Sequence, residues 1–353
     1  MAAPIDPATG ELTGRSVPVV EGLAVAAPFG VMTYAVSENG SLVYSTGPGG
    51  GGGQQLVVVD LEGNEVALPL APRPIGAVGV GWSPDGESIV FESEFQIYTY
   101  DVVLTNTPRQ ITLDGTNIRP VFSPDGTRVA FSSQREGTDG FDLFVKDLND
   151  DSPPRSIITL DANQLVTQWP TDTLIVFERG ENGVRDLWMV DISDPDNPEA
   201  RPYLTSEADL ERITISPDGR LAAYRSDESG EDALYVRSFP TPGGRTIVSP
   251  RGFGGVPAWS PDGGTLYSFT GSNRPVLAIR LQRDPVPVVL GIDTLFSARN
   301  HLEPFPGSVL HPDGDRFILA RFEVVAADEA EKSERLILVT NWFEELRQRM
   351  GSN

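Results

Sequence analysis

Short β-rich runs, separated by turn residues, recur from one end of the chain to the other. SLVYS, SIVFES, RVAFSS, LIVFER, LAAYRS, TLYSFT and RFILARF form one series. LVVVD, IYTYD, LFVKD, LWMVD, LYVRS, LAIRL and LILVT form a second, each following a member of the first. All are too short for ordinary helices and rich in β-branched or aromatic side chains, so each predicts a strand. A weaker series follows: EVALPL, RQITL, RSIITL, RPYLT, RTIVS and PVVLGI. Ahead of the first series stands a large apolar residue, at Val36, Trp82, Phe122, Trp169, Ile215, Trp259 and Leu310. The residue before it is usually slim, as at Ala35, Gly81, Val121, Thr214 and Ala258. A strand with one bulky and one slim face suits sheets packed face to face.

Between that leading strand and the first series lies a repeated tetrad. Ser83-Pro84-Asp85-Gly86, Ser123-Pro124-Asp125-Gly126, Ser216-Pro217-Asp218-Gly219 and Ser260-Pro261-Asp262-Gly263 are identical. His311-Pro312-Asp313-Gly314 changes one residue, Ser37-Glu38-Asn39-Gly40 is looser, and Pro170-Thr171-Asp172 is worn. Proline presets φ for the second turn position, aspartate suits the third, and glycine accepts the left-handed closing conformation. Each tetrad therefore predicts a hairpin. The spacing of roughly 40–50 residues is that of propeller blades.

The reading is all-β: a seven-bladed β-propeller with four-stranded antiparallel blades, six blades being the runner-up count. Consecutive pairing gives blades over 24–71, 72–114, 115–160, 161–206, 207–250, 251–299 and 300–340. The last has three strands, and Ser16-Val17-Pro18-Val19-Val20 is the available fourth, a three-plus-one closure that leaves no open sheet edge. Residues 341–350 predict a short helix, with Asn341 as cap and Glu344 three residues on. Gly47 to Gly53 reads as a flexible loop, since no Gly-Lys-Ser/Thr follows to make a phosphate cradle.

Composition narrows the functional classes. The 353 residues contain no cysteine, which removes disulfides, thiolate metal sites and thiol nucleophiles. A net charge of −23 argues against nucleic acid or an anionic membrane as partner. No apolar run reaches a membrane span, and MAAPIDPATGEL lacks the basic and apolar regions of a signal peptide. Cations are scarce, and only Lys146 and Lys332 are lysines.

With their W/F-S-P-D-G signature, the repeats resemble the TolB-type, WD40-like PD40 propeller family. Gly14-Arg15-Ser16-Val17-Pro18-Val19-Val20-Glu21-Gly22, Ser229 to Arg237, Gly254 to Trp259 and Asn341-Trp342-Phe343-Glu344-Glu345-Leu346 further resemble the C-terminal propeller of bacterial receptor-like serine/threonine protein kinases. The resemblance implies an extracytoplasmic sensing or protein-interaction propeller in a bacterium. No kinase Gly-rich loop with its lysine, His-Arg-Asp or Asp-Phe-Gly is present, so no kinase activity is implied for this chain.

Few residues point to chemistry. There is no Gly-x-Ser-x-Gly nucleophile elbow. His301 and His311 stand ten apart, near Glu303 and Asp313, without zinc spacing. The acidic groups around Asp147, Asp191 and Asp227 read as solvated turns, with structural calcium left as an unproven alternative. No cofactor is implied. The candidate binding residues are Arg73, Arg119, Arg212, Arg251, His301 and Glu303, with Phe253 and Phe305, all on the end opposite the tetrads. Arg119 and Arg212 both lie four residues before a tetrad serine, at the entry of the innermost strand. They are read either as an anion-facing pair or as partners of nearby acids. The expected function is non-catalytic binding of a protein, peptide or small ligand by a monomer. The alternative is a propeller-type hydrolase or lactonase with a channel metal at His301 and Glu303.

Overall fold

The computed structural model describes residues 25–26, 31–32, 34–37, 40–46, 53–76, 79–104, 107–181, 183–270, 274–298, 301, 309–322, 335–344 and 346. These are almost entirely β: seven antiparallel sheets of three or four strands and one two-stranded ladder. The chain divides into two compact units, one of residues 54–322 and one of 1–53 with 323–353.

The larger unit holds six sheets. Blade I comprises Val80–Trp82, Ser88–Ser93, Gln96–Asp101 and Arg109–Gln110. Blade II comprises Thr116–Phe122, Arg128–Gln134, Asp142–Asp147 and Arg155–Ile158. Blade III comprises Asn163–Thr171, Leu174–Glu181, Val184–Asp191 and Glu199–Leu204. Blade IV comprises Leu210–Ile215, Leu221–Ser226, Ala233–Ser238 and Thr246–Ile247. Blade V comprises Val256–Trp259, Thr265–Phe269, Pro275–Gln282 and Val288–Ser297. Blade VI comprises Arg316–Phe322, Gln54–Asp60 and Glu65–Ala67, with Leu310 bridged to Phe317 at its inner edge.

Apolar packing carries the blades around a closed ring. Val90 and Ile97 of blade I meet Phe122 and Phe131 of blade II. Val121 of blade II packs with Val166, Trp169 and Phe177 of blade III. Blade III meets blade IV through Val176 and Tyr224, and blade IV meets blade V through Val236 and Trp259. One cluster joins Phe269 of blade V, Phe317 of blade VI and Trp82 of blade I. There Phe317 makes T-shaped contacts with Tyr267 and Phe269 at centroid distances of 5.2 and 5.0 Å, a favoured aromatic geometry.

The tetrads fold as their chemistry requires. Ser83 Oγ donates to Asp85 Oδ1 at 2.5 Å and accepts from the Ser88 amide at 2.9 Å. Asp85 Oδ1 also accepts from the Glu87 amide, and the Gly86 amide donates to the Ser83 carbonyl. Gly86, Gly126, Gly219, Gly263 and Gly314 all sit at φ between +66 and +79°, a region closed to most side chains.

The two ends of the chain depart from consecutive pairing. Residues 54–60, expected to complete the 24–71 blade, pair instead with 316–322, from Arg316↔Asp60 to Phe322↔Gln54. Residues 335–339, expected in the 300–340 blade, pair with 42–46 in the smaller unit. The ring of the larger unit is thus closed by a sheet with two strands from the start of its sequence and one strand, with the bridged Leu310, from its end. The cause is the connection. A tight hairpin dictates the partner of most second strands, as Glu94-Phe95 does in blade I. The sequences of Gly47 to Gly53 and of residues 323–334 contain no tight-hairpin signal, so distant apolar strands select one another. The expected closing strand 16–20 lies outside the described residues.

In the smaller unit, Tyr34–Val36, Leu42–Thr46 and Arg335–Val339 form one sheet, and Val25–Ala26 pairs with Val31–Met32. A helical turn at 342–344 follows the last strand. Trp342 is buried against Leu42, with Tyr44, Val339 and Leu346 around it, and its amide donates to Gly40 O at 2.6 Å.

Candidate functional site

The first strands of the blades contact one another around the ring axis. In blades II and IV the register of this strand slips by a bulge, between Ile118 and Val121 and between Glu211 and Thr214. Arg119 and Arg212 occupy these bulges at φ +57 and +60°, strained values for arginine. Both are aimed at one acid, Glu178 on the second strand of blade III. Arg119 Nη1 donates to Glu178 Oε2 at 2.8 Å, and the Arg212 amide donates to Oε1 at 2.6 Å.

Further charges extend this core. Arg185 Nη1 lies 3.5 Å from Glu178 Oε2, and its Nη2 lies 2.9 Å from Glu211 and 2.6 Å from Asp209. Glu211 also meets Arg212 at 3.5 Å and Arg225 at 3.3 Å, and Arg225 reaches Asp232 at 2.5 Å. The network spans blades II, III and IV, with Glu178 fully buried and Arg119 5% exposed. Burial raises the Glu178 carboxyl pKa, but Arg119, Arg212 and Arg185 together hold it below the usual range. Burial lowers Arg119 and raises Glu211. Arg185 is pulled down by burial and carried above its ordinary value by Asp209, Glu178 and Glu211. Fixed, paired charges in this setting hold three blades in one arrangement.

The structure brings Arg119 and Arg212 together through an acid, the second of their two readings. It does not bring the other sequence candidates to them. Arg73 pairs with Gln54 as an isolated bridge and lies over the rings of Phe91 and Tyr98, at 5.6 and 5.7 Å. Arg251 is exposed in a turn. His301 is buried, with Nε2 3.1 Å from Glu65 Oε1, beside Arg321, which donates to Glu65 Oε2 at 2.7 Å. Phe253 joins the core between blades IV and V under Arg274. Glu303 and Phe305 lie outside the described residues.

Two acids escaped the sequence reading. Glu178 and Glu92 both follow phenylalanine on a second strand, in LIVFER and SIVFES. An acid in an otherwise apolar run was the available signal. Glu92 is 3% exposed, accepts from the Phe95 amide at 2.7 Å, and burial raises its pKa to about 7.

The acidic loops are hydrogen-bonded turns. Asp191, Asp194, Asp147 and Asp150 each accept a backbone amide two residues on, as turn-forming aspartates do. Among the described residues one group has metal-like composition, His311, Asp313 and Asp315. His311 Nδ1 accepts from the Asp313 amide at 3.1 Å, while Nε2 lies 2.8 Å from Arg316 and 3.3 Å from the Gly86 carbonyl. Both ring nitrogens are thus engaged in the turn that serine builds in the other tetrads. No described helix is long and apolar enough to cross a membrane.

No family model matches the chain. The Tol-Pal system protein TolB of Francisella tularensis subsp. mediasiatica (strain FSC147) is 22% identical over 191 residues, 52% of this chain and 43% of that one. The match thus spans less than half the length of this curated relative. A solved structure assigned as TolB from Agrobacterium tumefaciens superposes with a TM-score of 0.62 at 18% identity, covering 77% of this chain and 99% of that one. TolB from Acinetobacter baumannii gives 0.50 at 19%, covering 78% and 66%. An oligogalacturonate lyase from Vibrio parahaemolyticus gives 0.51 at 15%, covering 91% and 96%, so the architecture alone does not select a chemistry. By its repeats, its blades and these likenesses, the chain is a β-propeller, similar in part of its sequence and in fold to TolB.

Proposed function

We propose that the chain is a non-catalytic binding propeller, working outside the cytoplasm of a bacterium, whose partner is a protein or peptide. The reading rests on the buried network centred on Glu178. The charged groups of this network are engaged with one another, Arg119, Arg185 and Arg212 on Glu178 and Arg225 on Glu211. Such a network stiffens the ring and leaves recognition to the loops it carries. The likeness to TolB supports a protein partner, and the resemblance to kinase-linked propellers supports the location.

The partner face in this reading is the end opposite the tetrads, where Arg251 and the 227–232 loop are displayed. A photo-crosslinking residue at Arg251 tests it against one at Asp125 on the tetrad end. The expected result in cells is a discrete protein adduct from position 251 and none from 125. Adducts from both positions alike, or from 125 alone, contradict the proposed face.

A further inference from the structure

We infer that the end opposite the tetrads carries a site for a guanidinium group, as on an arginine of a basic peptide, in an acidic cavity between blades II and III that Asp142 lines. The inference rests on the reading of that end as the partner face and names what the partner presents there. The cavity holds about 660 Å³. Its walls are the hairpin leading to Asp142 in blade II and the link 159–163 into blade III. Two contacts lock the walls together. The Gln164 amide donates to the Phe141 carbonyl at 2.7 Å, and the Phe141 amide donates to Asn163 Oδ1 at 3.0 Å. A site built in advance lowers the ordering cost of binding.

The lining selects a cation. Asp139, Asp142 and Asp161 line the cavity, and none makes an ion pair among the described residues. The nearest arginines are engaged elsewhere. Arg135 pairs with Asp114 and lies over the Phe144 ring, while Arg179 donates to the Asp161 carbonyl at 3.1 Å and lies over Trp188. Asp142 is only 6% exposed, and that exposure opens into the cavity it lines. The Thr159 hydroxyl is the one donor on its carboxylate, a group with about four acceptor positions to fill. Burial pushes the carboxyl pKa up, the hydroxyl pulls it down, and no cation contributes. A buried carboxylate without a cation is costly, and an entering guanidinium relieves it. Glu178 shows the satisfied case within the same molecule, with arginine nitrogens at 2.8 and 3.5 Å. A metal ion suits the cavity less well. Among the described residues only His311, Asp313 and Asp315 converge closely enough to share one ion. The volume belongs instead with ligand pockets, which run from about 300 to 1,000 Å³.

The test titrates the ¹⁵N-labelled protein with N-acetyl-L-argininamide at low ionic strength, following the amide signals of Gly137, Gly140 and Asp161. N-acetyl-L-citrullinamide, its neutral isostere, and calcium chloride serve as comparison probes. The expected result is a saturable shift of these signals by the arginine derivative and none by the citrulline one. Asp142→Asn should weaken binding about tenfold or more, the usual loss for a hydrogen bond to a charged group. Asp139→Asn combined with Asp161→Asn changes only exposed positions and keeps the fold. That double variant should weaken binding about twofold to fivefold, as exposed ion pairs do, so the outcome does not hang on the folding of D142N. Four results would overturn the proposal: no saturable shift, equal shifts from the citrulline derivative, tighter saturation by calcium, or unchanged affinity in both variants. The probe is read without the partner, so its failure sinks this site even where position 251 gives its adduct, and its success stands even where position 251 gives none.

Discussion

At the scale of single residues, the molecule sets two buried glutamates against each other. Glu178 has three arginines around it, and removing its charge would strand them in a water-poor site. Glu178→Gln should cost roughly 3–5 kcal/mol, the usual penalty for breaking a buried ion pair from one side. Arg251→Ala, in an exposed turn, should stay within about 0.5 kcal/mol. Urea midpoints of the two variants check this, and equal midpoints would remove Glu178 from its structural role. Glu92 presents the opposite case. No cation contributes to its shift; burial raises its pKa to about 7, against an ordinary value of 4.5. A carboxyl raised on folding stabilises the fold fully below its unfolded pKa, and that contribution is lost as pH rises through the folded one. Stability should therefore fall between about pH 4.5 and 7. In Glu92→Gln that fall should flatten, leaving the variant relatively more stable at pH 8 than at pH 5. Thermal melts across this range decide it, and parallel profiles for both proteins contradict the assignment.

At the scale of the element, the tetrad turn is a backbone device whose cost can be separated from its packing. Gly219 has φ +69° and nothing near an added Cβ, so Gly219→Ala should cost about 1–2 kcal/mol from conformation alone. Gly86 has φ +73°, and there an added Cβ would also collide with the His311 imidazole. Gly86→Ala should therefore cost distinctly more, as a lower denaturation midpoint. Strands and turns were the legible part of this fold, because Ser-Pro-Asp-Gly specifies its own hairpin and the flanking apolar alternation specifies a face. The partners of strands 54–60 and 335–339 were not legible, because no tight-turn code ties either to the strand before it; 54–60 is instead laid on 316–322 within the cluster of Phe317 and Leu319, and 335–339 on 42–46. The site divides in the same way. Arg119 and Arg212 could be paired by their common distance from a tetrad. Nothing local announced that Glu178, on a blade between theirs, joins them.

At the largest scale, the larger unit is a ring closed by its own sequence ends, with 316–322 laid antiparallel on 54–60. Closure of this kind leaves only short blade edges at the rim and makes the outer half of blade VI depend on residues more than two hundred positions away. It also gives the cavity between the tetrads its fourth wall, since Leu310 and Pro312 come from blade VI. The absence of native cysteine allows a direct measurement. Two double variants, Gln55→Cys with Arg321→Cys and Leu56→Cys with Ala320→Cys, place thiols on directly opposed residues in successive registers. Opposed pairs alternate between close and wide spacing in an antiparallel ladder, so one of the two stands at the close one. The observed pairing predicts that at least one double variant oxidises to an intramolecular disulfide while keeping its strand signal, and melts at a higher temperature when oxidised than when reduced. Failure of both to cross-link in the folded protein would contradict the closure.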